Sequence, residues 1–167
     1  MSQESKRETE QETERAQGKR QLLSVVVSVY NEEQALDDFY RETGAVLKEL
    51  SWDYELIFVN DGSADQSLSI LDRLAAGDPR VRVISFSRNF GHEAAMIAGL
   101  DYSSGDAVIC MDADLQHPPE CIPQILEKME EGYEVVNMVR TKNRTAGLVK
   151  NVTSSGFYWV INHISDV

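Results

Sequence analysis

Residues 22–63 read LLSVVVSVYNEEQALDDFYRETGAVLKELSWDYELIFVNDGS. Leu22–Tyr30 is a near-continuous apolar, β-branched run, which predicts a strand buried on both faces. Across 33–50, Leu36, Phe39, Tyr40, Thr43, Leu47 and Leu50 recur at helical spacing. Tyr54–Asn60 (YELIFVN) predicts a second strand. A strand, a helix and a strand in this order describe a crossover between parallel strands.

The same alternation continues toward the C-terminus. Residues 67–76 carry Leu68, Leu71, Leu74 and Ala75 and predict a short helix. Val81–Ser87 predicts a third strand, 92–103 a helix, and Ala107–Met111 a fourth strand. Residues 119–131 predict a helix with Pro119 at its first position, and Glu134–Val139 a fifth strand. The chain is therefore expected to be α/β, with a mainly parallel sheet and helices on both faces.

The 167 residues suit one domain and are enough to bury a core. With 42% apolar and 26% charged residues the composition is that of a globular protein. A net charge of −12 argues against nucleic acid as a partner. That charge is unevenly spread. Residues 1–20 hold five acidic and five basic side chains and one strongly apolar residue, Met1, which predicts a disordered polar tail and no secretory signal. Residues 21–139 carry 22 acidic against 7 basic side chains. In 140–167, Arg140, Lys142, Arg144 and Lys150 stand against Asp166 alone. This end reads either as a solvated basic tail or as a surface for an anionic partner or a membrane face. No 18-residue apolar run predicts a membrane-spanning helix. Cys110 and Cys121 are too few for a disulfide scaffold, so reduced thiols and a cytoplasmic location are expected.

In parallel sheets, ligands bind beyond the carboxyl ends of the strands. Those ends carry Tyr30-Asn31-Glu32, Asp61-Gly62-Ser63, Arg88-Asn89-Phe90-Gly91 and Asp112-Ala113-Asp114. In an extended segment Asp112 and Asp114 would point to one side and form a hard-oxygen site for Mg²⁺ or Mn²⁺. The alternative is a pair of solvated turn aspartates, Asp114 capping the next helix. Asp61 and Glu32 each read either as turn and capping residues or as acceptors for a nucleobase or ribose. His92, His117 and His163 show no zinc spacing. No nucleophile elbow, dinucleotide fingerprint or P-loop occurs. In Gly156–Val167, Phe157, Val160, Ile161 and Ile164 recur at helical spacing. That segment would pack on the body or lie at a membrane interface, and its aromatics would favour self-association into a homo-oligomer.

Taken together, VVVSVYNEE (25–33), IFVNDGSADQS (57–67), SFSRNFGHEAAMIAGLDYSSGDAVICMDADLQHPPE (85–120) and EVVNMVR (134–140) resemble family 2 glycosyltransferases. The resemblance is strongest to the polyisoprenyl-phosphate branch, which includes dolichol-phosphate mannosyltransferases and undecaprenyl-phosphate glucosyltransferases. It implies a GT-A fold, a Rossmann-like arrangement. It also implies an inverting transfer from a nucleoside-diphosphate sugar, such as UDP-glucose or GDP-mannose, to a polyprenyl phosphate, at the cytoplasmic face of a membrane.

Residue by residue, the resemblance implies that Tyr30 and Glu32 contact the nucleotide and Asp61 the base, with Asp65 in the same loop. Asp112, Asp114 and Gln116 match the metal and diphosphate motif, with Ala113 lining the site. Arg88 and Asn89 match the segment flanking the donor pocket, and Arg140 an arginine near the acceptor phosphate. LVKNVTSSGFYWVIN (148–162) resembles the acceptor segment. Asn151 stands where arginine is usual there, which leaves Lys150 and Ser154 for the acceptor phosphate. The family continues past residue 167. The chain thus resembles a donor-binding part, 21–139, followed by the start of an acceptor part, 140–167. The alternative to an enzyme is a module that binds nucleotide-sugar and metal without turnover.

A phosphate monoester is already anionic near neutral pH, with a second pKa of about 6. Such an acceptor needs no strong base. It needs two anions, the donor diphosphate and the acceptor phosphate, held together.

Overall fold

The structure, a computed structural model, describes residues 20–138. The chain divides into two compact units, Met1–Gly132 and Tyr133–Val167. Every regular element among the described residues lies in the first. In chain order these are β1 (Leu22–Val29), α1 (Leu36–Lys48), β2 (Asp53–Asn60), α2 (Ser67–Gly77), β3 (Val81–Ser85), α3 (His92–Tyr102), β4 (Ala107–Asp112), a 3₁₀ turn (Pro119–Cys121) and α4 (Ile122–Glu130). The expected polar tail, the aromatic C-terminal segment, Arg140, Lys150 and Ser154 lie outside the described residues, apart from Arg20.

The four strands run parallel in the order β3-β2-β1-β4. The chain builds outward from β1 to β3 and then crosses back to place β4 on the other side of β1. That reversal opens a crevice at the carboxyl ends of β1 and β4, where open α/β sheets bind ligands. The register sets Ser28 beside Asp112 and Val29 beside Asn60.

β1 is central, which explains its unbroken apolar run. Leu23, Val25, Val27 and Val29 face a large core with Phe39 and Leu47 of α1, Leu71 of α2 and Ile122 of α4. Phe39 and Phe58 meet there edge to face, 6.0 Å between ring centres. Val26, Ile57 and Val59 face the other way, against Ala95 of α3. Helices thus cover both faces, three on one and α3 alone on the other. α3 lies so close to β1 that a Cβ at Gly99 would overlap the side chain of Val26.

Several expected bounds differ, and β3 ends at Ser85 rather than Ser87. The first helix starts at Leu36 rather than 33, after a turn in which Ala35 N donates to Glu32 O at 3.0 Å. The helix expected at 119–131 begins as a 3₁₀ turn and becomes α-helical at Ile122, with Pro123 in its first turn, where a missing N–H is tolerated. The fifth strand is not formed: over 134–138 no strand pairing occurs, and Val135 is 77% exposed. Alternation records a preference, but a strand exists only through a ladder partner. Val139 lies outside the described residues.

Two buried carboxylates lie near the amino ends of the strands, and Glu55 ties β1, β2 and β3 together there. Glu55 Oε1 accepts from Ser24 Oγ (2.6 Å), Ser104 N (2.9 Å) and Ser104 Oγ (3.0 Å), and Oε2 from Arg82 Nη1 (3.0 Å). Burial pushes the Glu55 carboxyl up, but these hydrogen bonds outweigh it and hold it below its ordinary value. Asp78 accepts from Arg80 Nε and Nη2, both at 2.9 Å, and from Tyr40 Oη at 2.8 Å. The Arg80 guanidinium holds the Asp78 carboxyl far below the carboxylate range.

A carboxylate with a lowered folded-state pKa stabilises the fold above its unfolded value, and that contribution is lost as pH falls through the folded value. Unfolding free energy measured in urea is therefore expected to drop by about 1–3 kcal/mol from pH 6 to pH 3. Glu55→Gln is expected to destabilise the protein at pH 6 and to flatten this dependence. An unchanged slope in that variant would remove Glu55 from the account.

Candidate functional site

The strands deliver their polar ends to one place. A cavity of about 380 Å³ opens there, lined from β1 and its loop by Ser28, Tyr30 and Glu32, and from β4 and its turn by Asp112, Ala113 and Asp114. Asp61, Asn89, Gly91 and His92 complete the wall. Seven residues singled out from the sequence therefore meet: Tyr30, Glu32, Asp61, Asn89, Asp112, Ala113 and Asp114. Gly91 belongs to the strand-end residues but has no assigned role there, and Ser28 and His92 lie outside them. Ser28 was legible, because strand alternation puts it on the side of Tyr30. His92 carried no motif, and its place follows from where α3 starts.

The acidic pair does not arise as the extended geometry suggested. Asp112 is the last residue of β4, but Ala113 and Asp114 already form a turn. Leu115 then takes a left-handed φ of 56°. The turn, not strand alternation, brings Asp114 to the cavity. Asp114 does not cap the following helix: neither the 3₁₀ turn nor α4 has a side-chain cap. Its Oδ1 accepts from Gln116 N at 3.0 Å. Gln116 itself does not line the cavity. Asp112 is flanked by His92 Nδ1 at 3.4 Å and His117 Nδ1 at 3.8 Å.

Asp61 is 2% exposed, and both its oxygens are engaged. Oδ1 accepts from Phe90 N at 2.7 Å and Oδ2 from Gly91 N at 2.9 Å. An ionised carboxylate has about four acceptor positions. Asp61 thus anchors the β3–α3 loop while still lining the cavity. Gly62 makes room for that loop: at φ 67° it occupies left-handed space, and a Cβ would come within 2.6 Å of Asn89 N. The loop alternates sides. Asn89 and Gly91 line the cavity; Arg88 and Phe90 do not.

Asp65 is placed differently from Glu32. It does not line the cavity, and its carboxylate accepts from Ser67 N (2.9 Å) and Glu33 N (3.1 Å). Asn31, at φ 57°, joins the same two loops: its N–H donates to Ser63 Oγ at 3.0 Å and its Oδ1 accepts from Ala64 N at 2.8 Å. Glu32 N donates to Ser67 Oγ at 2.9 Å. These exchanges hold Tyr30 and Glu32 in position from outside the cavity.

Glu32, Asp112 and Asp114 concentrate negative charge. Burial, then the charges of Asp114, Asp65 and Asp112, pushes the Glu32 carboxyl above its ordinary value. Among the described residues no three His, Cys, Asp or Glu side chains form a ready-made metal cage. Mg²⁺ and Mn²⁺ take one or two carboxylates and leave the remaining positions to water and phosphate oxygens. Mutual repulsion of the carboxylates and their oxygen donor chemistry both fit a hard divalent cation. No helix among the described residues is long and apolar enough to cross a membrane.

The family model for glycosyl transferase family 2 matches residues 24–163. An uncharacterized glycosyltransferase of Bacillus subtilis, YkcC, is 47% identical over 144 residues, which cover 86% of this chain and 45% of that protein. The bactoprenol glucosyl transferase of Shigella phage SfV is 45% identical over 143 residues, 86% of this chain and 47% of its own. The chain thus spans about half the length of the curated relatives it matches. Among solved structures, the mannosyltransferase PcManGT of Pyrobaculum calidifontis, in complex with GDP-Man and Mn²⁺, superposes with a TM-score of 0.60 at 20% identity, over 76% of this chain and 37% of that one. S. aureus TarS 1-349 in complex with UDP-GlcNAc gives 0.56 at 20% identity, over 72% and 37%. These two likenesses concern the fold alone.

Proposed function

Because the chain belongs to glycosyl transferase family 2 and has the Rossmann-like GT-A fold, we propose that its cavity binds a nucleoside-diphosphate sugar with Mg²⁺ or Mn²⁺, for inverting transfer of the sugar to a polyprenyl phosphate. The observation that carries this reading is the convergence of Glu32, Asp112 and Asp114 on one cavity at the β1/β4 crevice. The relatives named bactoprenol glucosyl transferase support the acceptor class.

In this reading Tyr30, Asp61 and Asn89 bound the nucleotide, and Ala113 leaves room beside it. Asp112 and Asp114 hold the cation, with Gln116 next to them in the same turn. The bound cation supplies screening of the donor diphosphate as negative charge builds on it in departure. The acceptor phosphate oxygen attacks the anomeric carbon from the side opposite the diphosphate, which inverts the configuration. The attacking oxygen is already ionised, so no cavity carboxylate is required as base. Arg140, Lys150 and Ser154 are the proposed acceptor-phosphate contacts, Arg140 acting in catalysis with the acidic pair. The place of action is the cytoplasmic face of a membrane.

One observation favours a second reading. The cavity is lined only by residues of the donor part, 28–114, and a module built on that part would bind nucleotide-sugar and metal without turnover. Calorimetric titration with UDP-glucose and GDP-mannose, with Mn²⁺ and with chelator, followed by transfer to a short polyprenyl phosphate, separates the two. Metal-dependent binding with lipid-linked product is expected of the enzyme. Binding without product selects the module, and no binding overturns both.

A further inference from the structure

The β3–α3 loop holds an arrangement that the donor site does not use. Residues 88–90 are all exposed, including Phe90 at 52%. An exposed phenylalanine is not by itself unusual. This one is held rigidly. Its N–H donates to the buried Asp61, its ring meets Phe86 edge to face at 5.5 Å, and the Arg88 guanidinium sits 4.0 Å from its ring centre.

Arg88 is also set apart by charge. Arg20, Arg41, Arg73, Arg80 and Arg82 each pair with a carboxylate. Arg88 is the one arginine among the described residues that does not; its Nη1 donates only to Asn89 O, at 3.0 Å. A guanidinium stacked on an aromatic ring keeps most of its donors free, in a planar array that matches phosphate oxygens. Both side chains belong to a loop whose alternate residues, Asn89 and Gly91, line the cavity.

We infer that Arg88 and Phe90 form an acceptor-binding rim: the guanidinium takes a phosphate monoester and the phenylalanine ring takes the first isoprenoid carbons attached to it. The ligand class is an amphiphile with a monophosphate head. Neither side chain lines the cavity assigned to the donor. The inference rests on the function proposed above and moves Arg88 from the donor side, where its motif placed it, to the acceptor side.

The test uses the full chain and two titrations in parallel, one with UDP and Mn²⁺ and one with farnesyl phosphate in the presence of UDP and Mn²⁺. Farnesol and inorganic phosphate serve as the separated tail and head. Farnesyl phosphate is expected to bind more tightly than either. Arg88→Ala and Phe90→Ala are each expected to weaken farnesyl phosphate about 5- to 20-fold while leaving UDP within 2-fold. Arg88→Ala should erase the advantage over farnesol, and Phe90→Ala the advantage over inorganic phosphate. Arg88→Lys, which keeps charge but loses the planar fork, should recover only part of the binding.

UDP binding with no binding of farnesyl phosphate overturns the rim and leaves the donor reading standing. Variants that weaken UDP as much as farnesyl phosphate return Arg88 to the donor side and overturn it as well. Failure of the unaltered chain to bind UDP is the distinct failure of the proposed function.

Discussion

Asp114→Ala is expected to abolish metal-stimulated binding of a nucleoside diphosphate, weakening it about 100-fold or more in Mn²⁺ while leaving binding in chelator unchanged. The size follows from what a divalent cation does for a diphosphate. Two carboxylates and the phosphate oxygens share one ion, and removing one carboxylate unseats both. Asp114 is exposed and accepts only from Gln116 N, so thermal stability should hardly move. Asp112→Asn should lose metal binding in the same way. A second readout is independent of ligand. Asp114 is the largest of the neighbouring charges that push the Glu32 carboxyl up, after burial itself, so Glu32 should titrate lower in Asp114→Ala. Calorimetry and the carboxyl titration by NMR check the two effects. Retained Mn²⁺ stimulation in Asp114→Ala would show that the acidic turn does not hold the cation.

Asp61→Ala is expected to be the most damaging single change at the cavity, costing both stability and nucleotide binding. The carboxylate is 2% exposed and receives the backbone N–H groups of Phe90 and Gly91. Truncation orphans two donors, and hydrogen bonds to charged groups are worth about 1.5–3 kcal/mol each. A loss of about 2–4 kcal/mol in unfolding free energy is expected. Asp61→Asn should be nearly as severe, since its amide would set a donor against one of the two N–H groups. With the anchor gone, Asn89 and Gly91 no longer hold the cavity wall, and nucleotide affinity should fall about 10-fold or more. Urea unfolding and titration with UDP measure the two effects. An Asp61→Asn protein of unaltered stability would mean that the anchor contributes little.

The two changes contrast two aspartates that look alike in sequence. Both lie in the residues just after a strand, and each reads either as a ligand-binding carboxylate or as a capping residue. Asp114 is exposed and lines the cavity, its Oδ1 accepting from Gln116 N; Asp61 is also a structural anchor. Asp65 went further in that direction, its carboxylate occupied by Glu33 N and Ser67 N. The signal that separates them is not local, because Asp61 acts on a loop about thirty residues away. The fifth strand failed for a related reason: its alternation was readable, its ladder partner was not. Ser28 is readable from the sequence, since the alternation that points to Tyr30 applies to it as well.

The α/β alternation, the buried central strand, the acidic strand ends and the family likeness were all determined by the sequence alone. The first three depend on side-chain spacing within one segment, and periodicities of 2.0 and 3.6 are local properties; the likeness rests on the motifs spread over 25–140. Tertiary structure decided the order β3-β2-β1-β4, the turn that presents Asp114, and the sides of the loop that Asn89 and Arg88 take. It also decided which carboxylates are left for a ligand. Those outcomes depend on which backbone N–H groups lie opposite a side chain after folding, and contacts between distant segments leave no periodic trace in the sequence.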